Sequence, residues 1–503
     1  MSNYKFCDRI ILGDYMKWVV SSEMINKCFD KSLYPKDKLI KGYVLALLDS
    51  YSYDGRVAII SGNNEKGLIG KELSLKLDNS DLFVTRDYKN KDDSVIIIDE
   101  NTSFDDYDII VDALLDNNFK GIVDEYNSMI INKINSSGKK VISIDLNSGL
   151  NFDSGLGSCI VKSDLTVSLN NYKYGHFINM AKDNIKDKVN YRFGVDIDTN
   201  CHLLEKTDFD DLLDDRANFS NKYDYGVVCI MGGSNDFSGA IKLANMSAAS
   251  IRSGVGVSRL AVPANMAQSV LSHIVESTVV TIESKFGQMV YNENDLKKAL
   301  HRTNCLVIGM GWGSSREYSK ILNYIIKNYD KPIVIDADGI NTLKDMDLSL
   351  LKTYEHNIII TPHLREFSRI SKMDTNKILE NPVKAVEKFA SKWGITVLLK
   401  GPTSIVSDGE ATYLIDRGCS GMATAGSGDV LSGILGGLLA WNEYDLKLVA
   451  KAAFINGFAG EEAQKEFGSI SMMASDTINK IPVVLNKLKE FNKKEKWYFS
   501  FIY

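Results

Sequence analysis

The sequence predicts two α/β domains in tandem, each a largely parallel sheet covered by helices. Three observations predict this. A chain of 503 residues is too long for one ordinary core. Short apolar runs of strand length alternate with longer amphipathic stretches along most of it, which is the pattern of βαβ units. An acidic stretch, Glu205–Asp215 (EKTDFDDLLDD), then interrupts the pattern as a solvated connection, setting the expected domains at residues 1–215 and 216–503.

In the first domain, runs at Val57–Ser61, Ser94–Ile98, Asp108–Val111, Val141–Ile144 and Leu165–Leu169 alternate with stretches of helical character such as Gly67–Leu77 and Ile122–Ser136. Ligands of such sheets sit beyond the carboxyl ends of the strands. Polar residues are expected at three of those ends: Gly62-Asn63-Asn64, Asp112, and Asp145 with Ser148-Gly149. Each is also an ordinary turn former when taken alone.

In the second domain, a strand at Gly226–Met231 runs into Gly232-Gly233-Ser234 and a helix beginning near Gly239-Ala240. The small residues Ala244, Ser247, Ala248 and Ala249 allow that helix a close approach. Further strands are expected at Thr278–Ile282, Leu306–Ile308, Pro332–Ile335, Asn357–Ile360 and Thr396–Leu399. Their exits carry Gly309-Met310-Gly311-Trp312-Gly313, Asp336-Ala337-Asp338-Gly339, Thr361-Pro362-His363 and Lys400-Gly401. The series closes on Gly426-Ser427-Gly428-Asp429, a glycine-rich loop joined to a helix whose Val430, Leu431, Ile434, Leu435, Leu438 and Leu439 are apolar. Small residues let consecutive amides turn toward one point, and the helix start adds partial positive charge, so a phosphate is welcome there. Asp429 competes with such an anion unless it has a task, such as taking the proton of a hydroxyl that attacks phosphorus. It would equally suit a helix cap. A phosphate-bearing ligand accounts for all these exits at once.

Composition narrows the class. Hydrophobic content of 44% and charged content of 25% are those of a soluble globular protein, and a formal net charge of −6 argues against a general nucleic-acid binder. Cys7, Cys28, Cys159, Cys201, Cys229, Cys305 and Cys419 show no ligand spacing, and no signal peptide precedes them, so reduced thiols in a cytoplasm are expected. The most apolar run, Val430–Trp441, falls well short of the roughly 20 residues of a membrane span.

The loops of the first domain resemble those of the NAD(P)H-hydrate epimerase family, whose pattern is GNNGGDG, then VDA-L-FGTG, then D-x-PSG. The resemblance implies a Rossmann-like three-layer fold, Asn63 and Asn64 on the substrate, Asp145 as the residue that handles it, and a potassium ion held by Asn64, Asp112 and Ser148. Lys173 and Gly175 are similar to the family's later KPG segment. Departures accompany the matches: Glu65-Lys66-Gly67-Leu68 replaces Gly-Gly-Asp-Gly, Asp116-Asn117-Asn118 replaces GTG, and Asn147 replaces proline. Losing glycine removes close backbone approach, and Glu65 and Asp116 bring negative charge to where the resemblance sets a pyrophosphate. These changes argue against dinucleotide binding and epimerase activity, while Asp112 and Asp145 argue for them.

The second domain resembles the NAD(P)H-hydrate dehydratase family of the ribokinase-like superfamily, a three-layer fold. The resemblance is carried by GGSNDFSGAIKLA, VIGMGWG, VIDADGIN, TPHLREFSRI, LLKGPTSIV and GMATAGSGDVLSGILGGLLA, followed by Ala474-Ser475-Asp476. It implies that Ala240, Gly311, Gly313, His363 and Asp429 line a hydrated nicotinamide nucleotide, with Asp429 catalytic. It further implies that Lys400, Gly401, Pro402, Thr403, Ser404, Gly426 and Gly428 line ADP accompanied by magnesium, in a homo-oligomer. Arg365 stands where the family has glycine, and Met310 interrupts a GPG. The pairing of domains is similar to bacterial bifunctional repair enzymes that use ADP. Two rival readings are a small-alcohol kinase acting on a thiazole or pyrimidine vitamin precursor, and a nucleotide sensor without catalysis.

Overall fold

In the computed structural model, residues 17–20, 55–89, 94–116, 119, 122–191, 199–209, 212, 214–248 and 252–500 are described. Cys7, Cys28, Asn117, Asn118 and Ala249, with Asp210, Asp211 and Leu213 of the acidic connection, lie outside the described residues. The chain divides into two compact units between His202 and Leu203, with Leu379–Asn381 grouped with the first.

The first unit is built on β1 (Val57–Ser61), β2 (Ser80–Val84), β3 (Val95–Ile97), β4 (Ile109–Ala113), β5 (Lys140–Ile144), β6 (Ser163–Leu169) and β7 (Ile185–Tyr191). They form a seven-stranded parallel sheet in the order β3-β2-β1-β4-β5-β6-β7. In β1, Val57 and Ile59 enter the core on one face, and Ala58 and Ile60 enter it on the other. A strand covered on both faces needs such an unbroken apolar run. α1 (Glu65–Ser74) follows β1, and α2 (Glu125–Ser136) precedes β5. Strand order reverses beside β1, so the ends of β1 and β4 bound the crevice in which sheets of this topology take ligands.

Two differences from the sequence expectation concern this sheet. Asp112 lies inside β4 and not beyond it, opposite Ile60 on one side and Ser143 on the other, because the ladder uses backbone groups and tolerates a polar side chain. β2 and β7 escape the apolar pattern. β2 opens on Ser80-Asp81, and β7 is an edge strand with much of its surface in solvent.

The second unit contains β8 (Val227–Met231), α3 (Ser238–Ala248), β9 (Val257–Pro263), β10 (Thr278–Ile282), β11 (Cys305–Ile308), β12 (Ile333–Ile335), β13 (Ile358–Ile360), β14 (Thr396–Leu399), β15 (Ser404–Ser407) and β16 (Thr412–Ile415). The strand order is β10-β9-β8-β11-β12-β13-β14-β15-β16, parallel as far as β14 and antiparallel from there. Order reverses again, between β8 and β11, whose exits are Gly232-Gly233-Ser234 and Gly309-Met310-Gly311.

The helix α4 (Ser427–Trp441) explains how the glycine-rich loop is held. Its residues Val430 to Ala440 are buried, so it is apolar all round, as a helix enclosed by protein must be. Its glycines are contact points. A Cβ on Gly433 would fall 2.2 Å from the Ala244 carbonyl oxygen of α3, and one on Gly436 would fall 2.0 Å from Val307 Cγ2 of β11. α4 therefore lies tightly against both sheet and α3, which fixes where its first turn points. Among the described residues no helix is long and apolar enough to cross a membrane. Among the described residues, Cys159, Cys201, Cys229, Cys305 and Cys419 form no disulfide with one another.

Candidate functional site

In the second unit the strand exits meet at Asp336. Its carboxylate is buried, and Oδ1 accepts from Lys400 Nζ at 2.8 Å and from the Ala337 amide at 2.8 Å. Oδ2 accepts from Ser432 Oγ at 2.6 Å, one helical turn past Asp429. Burial opposes the charge on Asp336, yet the Lys400 ammonium holds its carboxyl below the ordinary range. Burial opposes the charge on Lys400 as well, yet the surrounding carboxylates, Asp336 first and then Glu366, together raise it. Lys400 is aligned by its own backbone: its N–H donates to Pro362 O at 2.8 Å, and a bridge pairs it with His363.

The glycine-rich loop closes over this pair. Gly426 caps α4 in the left-handed region at φ 91°, with no side-chain capping bond, and a Cβ on Gly428 would sit 3.2 Å from Lys400 Nζ. Asp429 is in the first turn and is not the cap. Its carboxylate makes no hydrogen bond within the described residues, and its pKa is pushed up to about 7 by burial first, then by the negative charge of Asp336. Only a nearby lysine opposes this. A carboxylate left unpaired and tuned to neutrality is poised to take a proton. Among the described residues Ser427 Oγ and Ser234 Oγ are buried without partners, so hydrogen-bonding capacity is left over beside the GSGD loop and the loop after β8.

The loops after β8 and β11 interlock: Gly233 N–H donates to Met310 O at 2.8 Å. Gly311, at φ 64°, lies against the start of α3, where a Cβ would be 2.6 Å from Phe237 O and 3.2 Å from Ala240 Cβ. Gly313 N–H donates to Asp338 Oδ2 at 2.7 Å. Between the two aspartates, Ala337 holds φ 49° and ψ −119°, a conformation that alanine adopts only under constraint.

The remaining residues expected here divide clearly. His363 caps the helix Leu364–Ser371, its Nδ1 accepting from the Arg365 and Glu366 amides at 3.1 and 3.3 Å. Burial holds its imidazole below the ordinary range, while its side chain stays about half open to solvent. Arg365 is exposed. Gly401 and Pro402 form an exposed turn beside Lys400, Thr403 is buried with Oγ1 3.4 Å from Asp416 Oδ1, and Ser404 opens β15. The sequence reading assigned no role to Asp336, Ala337, Ser427 or Ser432. The DADG motif signalled Asp336, but nothing in the pattern signalled its bond to Ser432.

In the first unit, Asp145 is buried just past β5 at φ 59°, ion-paired with Lys173, and Oδ1 accepts from the Leu169 amide at 2.9 Å. Burial opposes its charge, but Lys173 holds its carboxyl low. Burial pushes His176 down to about 3, so the ring is neutral. Its Nδ1 accepts from the Lys173 amide at 2.9 Å, which leaves Nε2–H to donate to Asp145 O.

The three expected potassium ligands do not form an open cation site. Asn63 is exposed, while Asn64 caps α1 through Oδ1 and donates to Leu114 O at 2.7 Å, so its side chain is committed. Asp112 and Ser148 do converge, since Asp112 accepts from both the amide and the hydroxyl of Ser148. The buried ammonium of Lys66 stands among them, bonded to Leu146 O at 2.7 Å and Ser148 Oγ at 3.1 Å, and 3.4 Å from Asp112 Oδ2. These residues do not fit an added potassium ion. Glu65 is exposed. Asn147, in place of proline, cross-links its loop by donating to Val161 O, Ser163 Oγ and Asn184 O at 2.8 to 2.9 Å. Among the described residues no cluster of three or more His, Cys, Asp or Glu could hold a metal.

A family model described as NAD(P)H-hydrate dehydratase matches residues 228–483, and one described as YjeF-related protein N-terminus matches residues 52–175. A bifunctional NAD(P)H-hydrate repair enzyme of Hyperthermus butylicus is 33% identical over 390 residues, spanning 75% of this chain and 70% of that protein. An ADP-dependent (S)-NAD(P)H-hydrate dehydratase of Nitrosopumilus maritimus is 34% identical over 282 residues, spanning 55% of this chain and 93% of its own. A solved ribokinase-like superfamily protein of Enterococcus faecalis shares the fold, with a TM-score of 0.51 at 21% identity over 59% of this chain and 99% of that one.

Proposed function

This chain belongs to the NAD(P)H-hydrate dehydratase family, and from that premise we propose that it repairs hydrated NADH and NADPH by ADP-dependent dehydration of the S form. The observation that carries the reading is Asp429, a carboxylate without hydrogen bonds among the described residues, pushed up to about 7, at the start of a glycine-capped helix beside Lys400.

The substrate carries a hydroxyl where water has added across a ring double bond, and hydroxide is a poor leaving group. Asp429 takes the hydroxyl proton as the oxygen attacks the β-phosphorus of ADP, and the phosphorus–oxygen bond to AMP breaks. The amides of Gly426 to Gly428, the helix start and Lys400 stabilise charge on the transferred group. The carbon–oxygen bond then breaks, with its electron pair leaving on phosphate, and the neighbouring carbon gives up a proton to water as the double bond re-forms. The products are the reduced nucleotide, AMP and phosphate. Magnesium would accompany ADP and would help neutralise charge on the transferred phosphoryl group beside Lys400. In this reading Lys400, Gly401, Pro402, Thr403 and Ser404 border the nucleotide, while Ala240, Gly311, Gly313 and His363 border the hydrated ring.

The first domain retains an acid–base pair, Asp145 and Lys173, at the mouth of its sheet, which supports interconversion of the R and S hydrates. The proposed setting is the cytoplasm, and the proposed assembly is a homo-oligomer, to be measured by light scattering. The deciding assay mixes the protein with separately prepared S and R hydrates of NADH, ADP and magnesium, and follows the return of reduced-nicotinamide absorbance. Recovery from S supports the dehydratase. An R rate above the protein-free rate supports the epimerase. No ADP-dependent recovery from either hydrate would overturn the reading.

A further inference from the structure

We propose that Lys66 is a built-in monovalent cation: its tethered ammonium fills the oxygen cage formed by Asp112, Ser148 and Leu146 O, so the first domain neither needs nor binds potassium there. Lys66 is the second residue of α1, and the chain sends its side chain inward while Glu65 remains exposed. The side chain is 3% exposed and Asp112 is fully buried. The contacts at 2.7 Å to a carbonyl and 3.1 Å to a hydroxyl are those a small univalent cation makes with neutral oxygens, and the carboxylate at 3.4 Å supplies the balancing charge.

Charge balance argues against a second cation. A buried carboxylate without a partner is costly, so Asp112 needs one positive charge. Lys66 provides it, and a further cation in the cage would face a like charge at close range. The other buried acid at this end of the sheet, Asp145, has its own lysine in Lys173 and offers no spare negative charge. The first turn of α1, which carries Lys66, is closely fitted to the loops after β1 and β4: a Cβ on Gly67 would fall 1.9 Å from Gly62 O, and one on Gly62 would fall 1.9 Å from Leu114 O. The tether also removes any dependence on salt, because an intramolecular ligand is present at high effective concentration.

The inference does not depend on what the first domain catalyses, and its test reads stability. The full chain is unfolded in a scanning calorimeter in potassium chloride and in tetramethylammonium chloride at matched ionic strength. The wild-type transition of the first domain is expected at the same temperature in both salts. Lys66→Ala empties the cage, so it should melt roughly 5–10 °C lower in tetramethylammonium and recover selectively in potassium. Lys66→Met fills the cage with an uncharged chain and should melt low in both salts. Equal destabilisation of Lys66→Ala in both salts would overturn the proposal, as would a wild type stabilised specifically by potassium. If Lys66→Ala does not fold, thallium(I) NMR of the wild-type protein decides: no saturable site in the first domain is expected, and a saturable site that broadens resonances of Asp112 and Ser148 would overturn the inference.

Discussion

Asp429→Asn should cost the enzyme its activity and make the second domain more stable. Burial and the neighbouring Asp336 lift the Asp429 carboxyl from the ordinary 3.8 to about 7. At about 1.4 kcal/mol per tenfold change in proton affinity, holding the ionised form in the folded site costs up to about 4 kcal/mol. Relaxation and partial solvent access reduce the expected gain from asparagine to about 2–4 kcal/mol, or roughly 4–8 °C in melting temperature. The sign follows from the folded value lying above the unfolded one. Below about pH 4 the carboxyl is protonated in both states and costs nothing. As pH rises from 4 to 7 the unfolded chain loses its proton first, so wild-type stability falls, and above 7 the cost is constant. Calorimetry between pH 5 and 8.5 should therefore show the gap between variant and wild type opening up to about pH 7 and then levelling. The same carboxyl predicts an acid limb near 7 in kcat/KM and a loss on the order of 100-fold or more in kcat on substitution. Equal melting temperatures at pH 8, or a gap independent of pH, would refute the buried-charge argument. An asparagine variant keeping most of its turnover would refute the base.

Lys400→Met leaves the buried Asp336 with neutral partners such as Ser432 and the Ala337 amide, and should destabilise the domain by about 3 kcal/mol in chemical denaturation while raising the KM for ADP. Gly311→Ala sets a Cβ 2.6 Å from Phe237 O at a positive φ, so about 1–3 kcal/mol of stability should be lost and the KM for the hydrated nucleotide should rise. His363→Ala removes a helix cap worth about 1 kcal/mol. If His363 also borders the substrate, the KM for the hydrate should rise while the KM for ADP holds, and unchanged constants would confine the residue to capping.

The linear sequence determined the two layered domains, because βαβ units announce themselves through apolar runs of strand length, which need no knowledge of their neighbours. It determined the edge at which function lies, since strand ends rich in Gly, Asp and Asn can be read one at a time. It also placed GSGD at the start of an apolar helix. Tertiary structure decided what those residues do. Asp429 reads as a cap or a base until Gly426 is seen to be the cap and Asp336 is seen nearby, because a pKa depends on burial and on charges brought together from distant parts of the chain. Ser432 is an unremarked residue in an apolar helix until its hydroxyl meets Asp336 across 96 positions. Lys66 looks like a loss beside a glycine-rich pattern, because spacing does not tell which way a side chain points. Only the packing of α1 against β4 turns it inward to Asp112 and makes a charged substitution the partner of a buried acid.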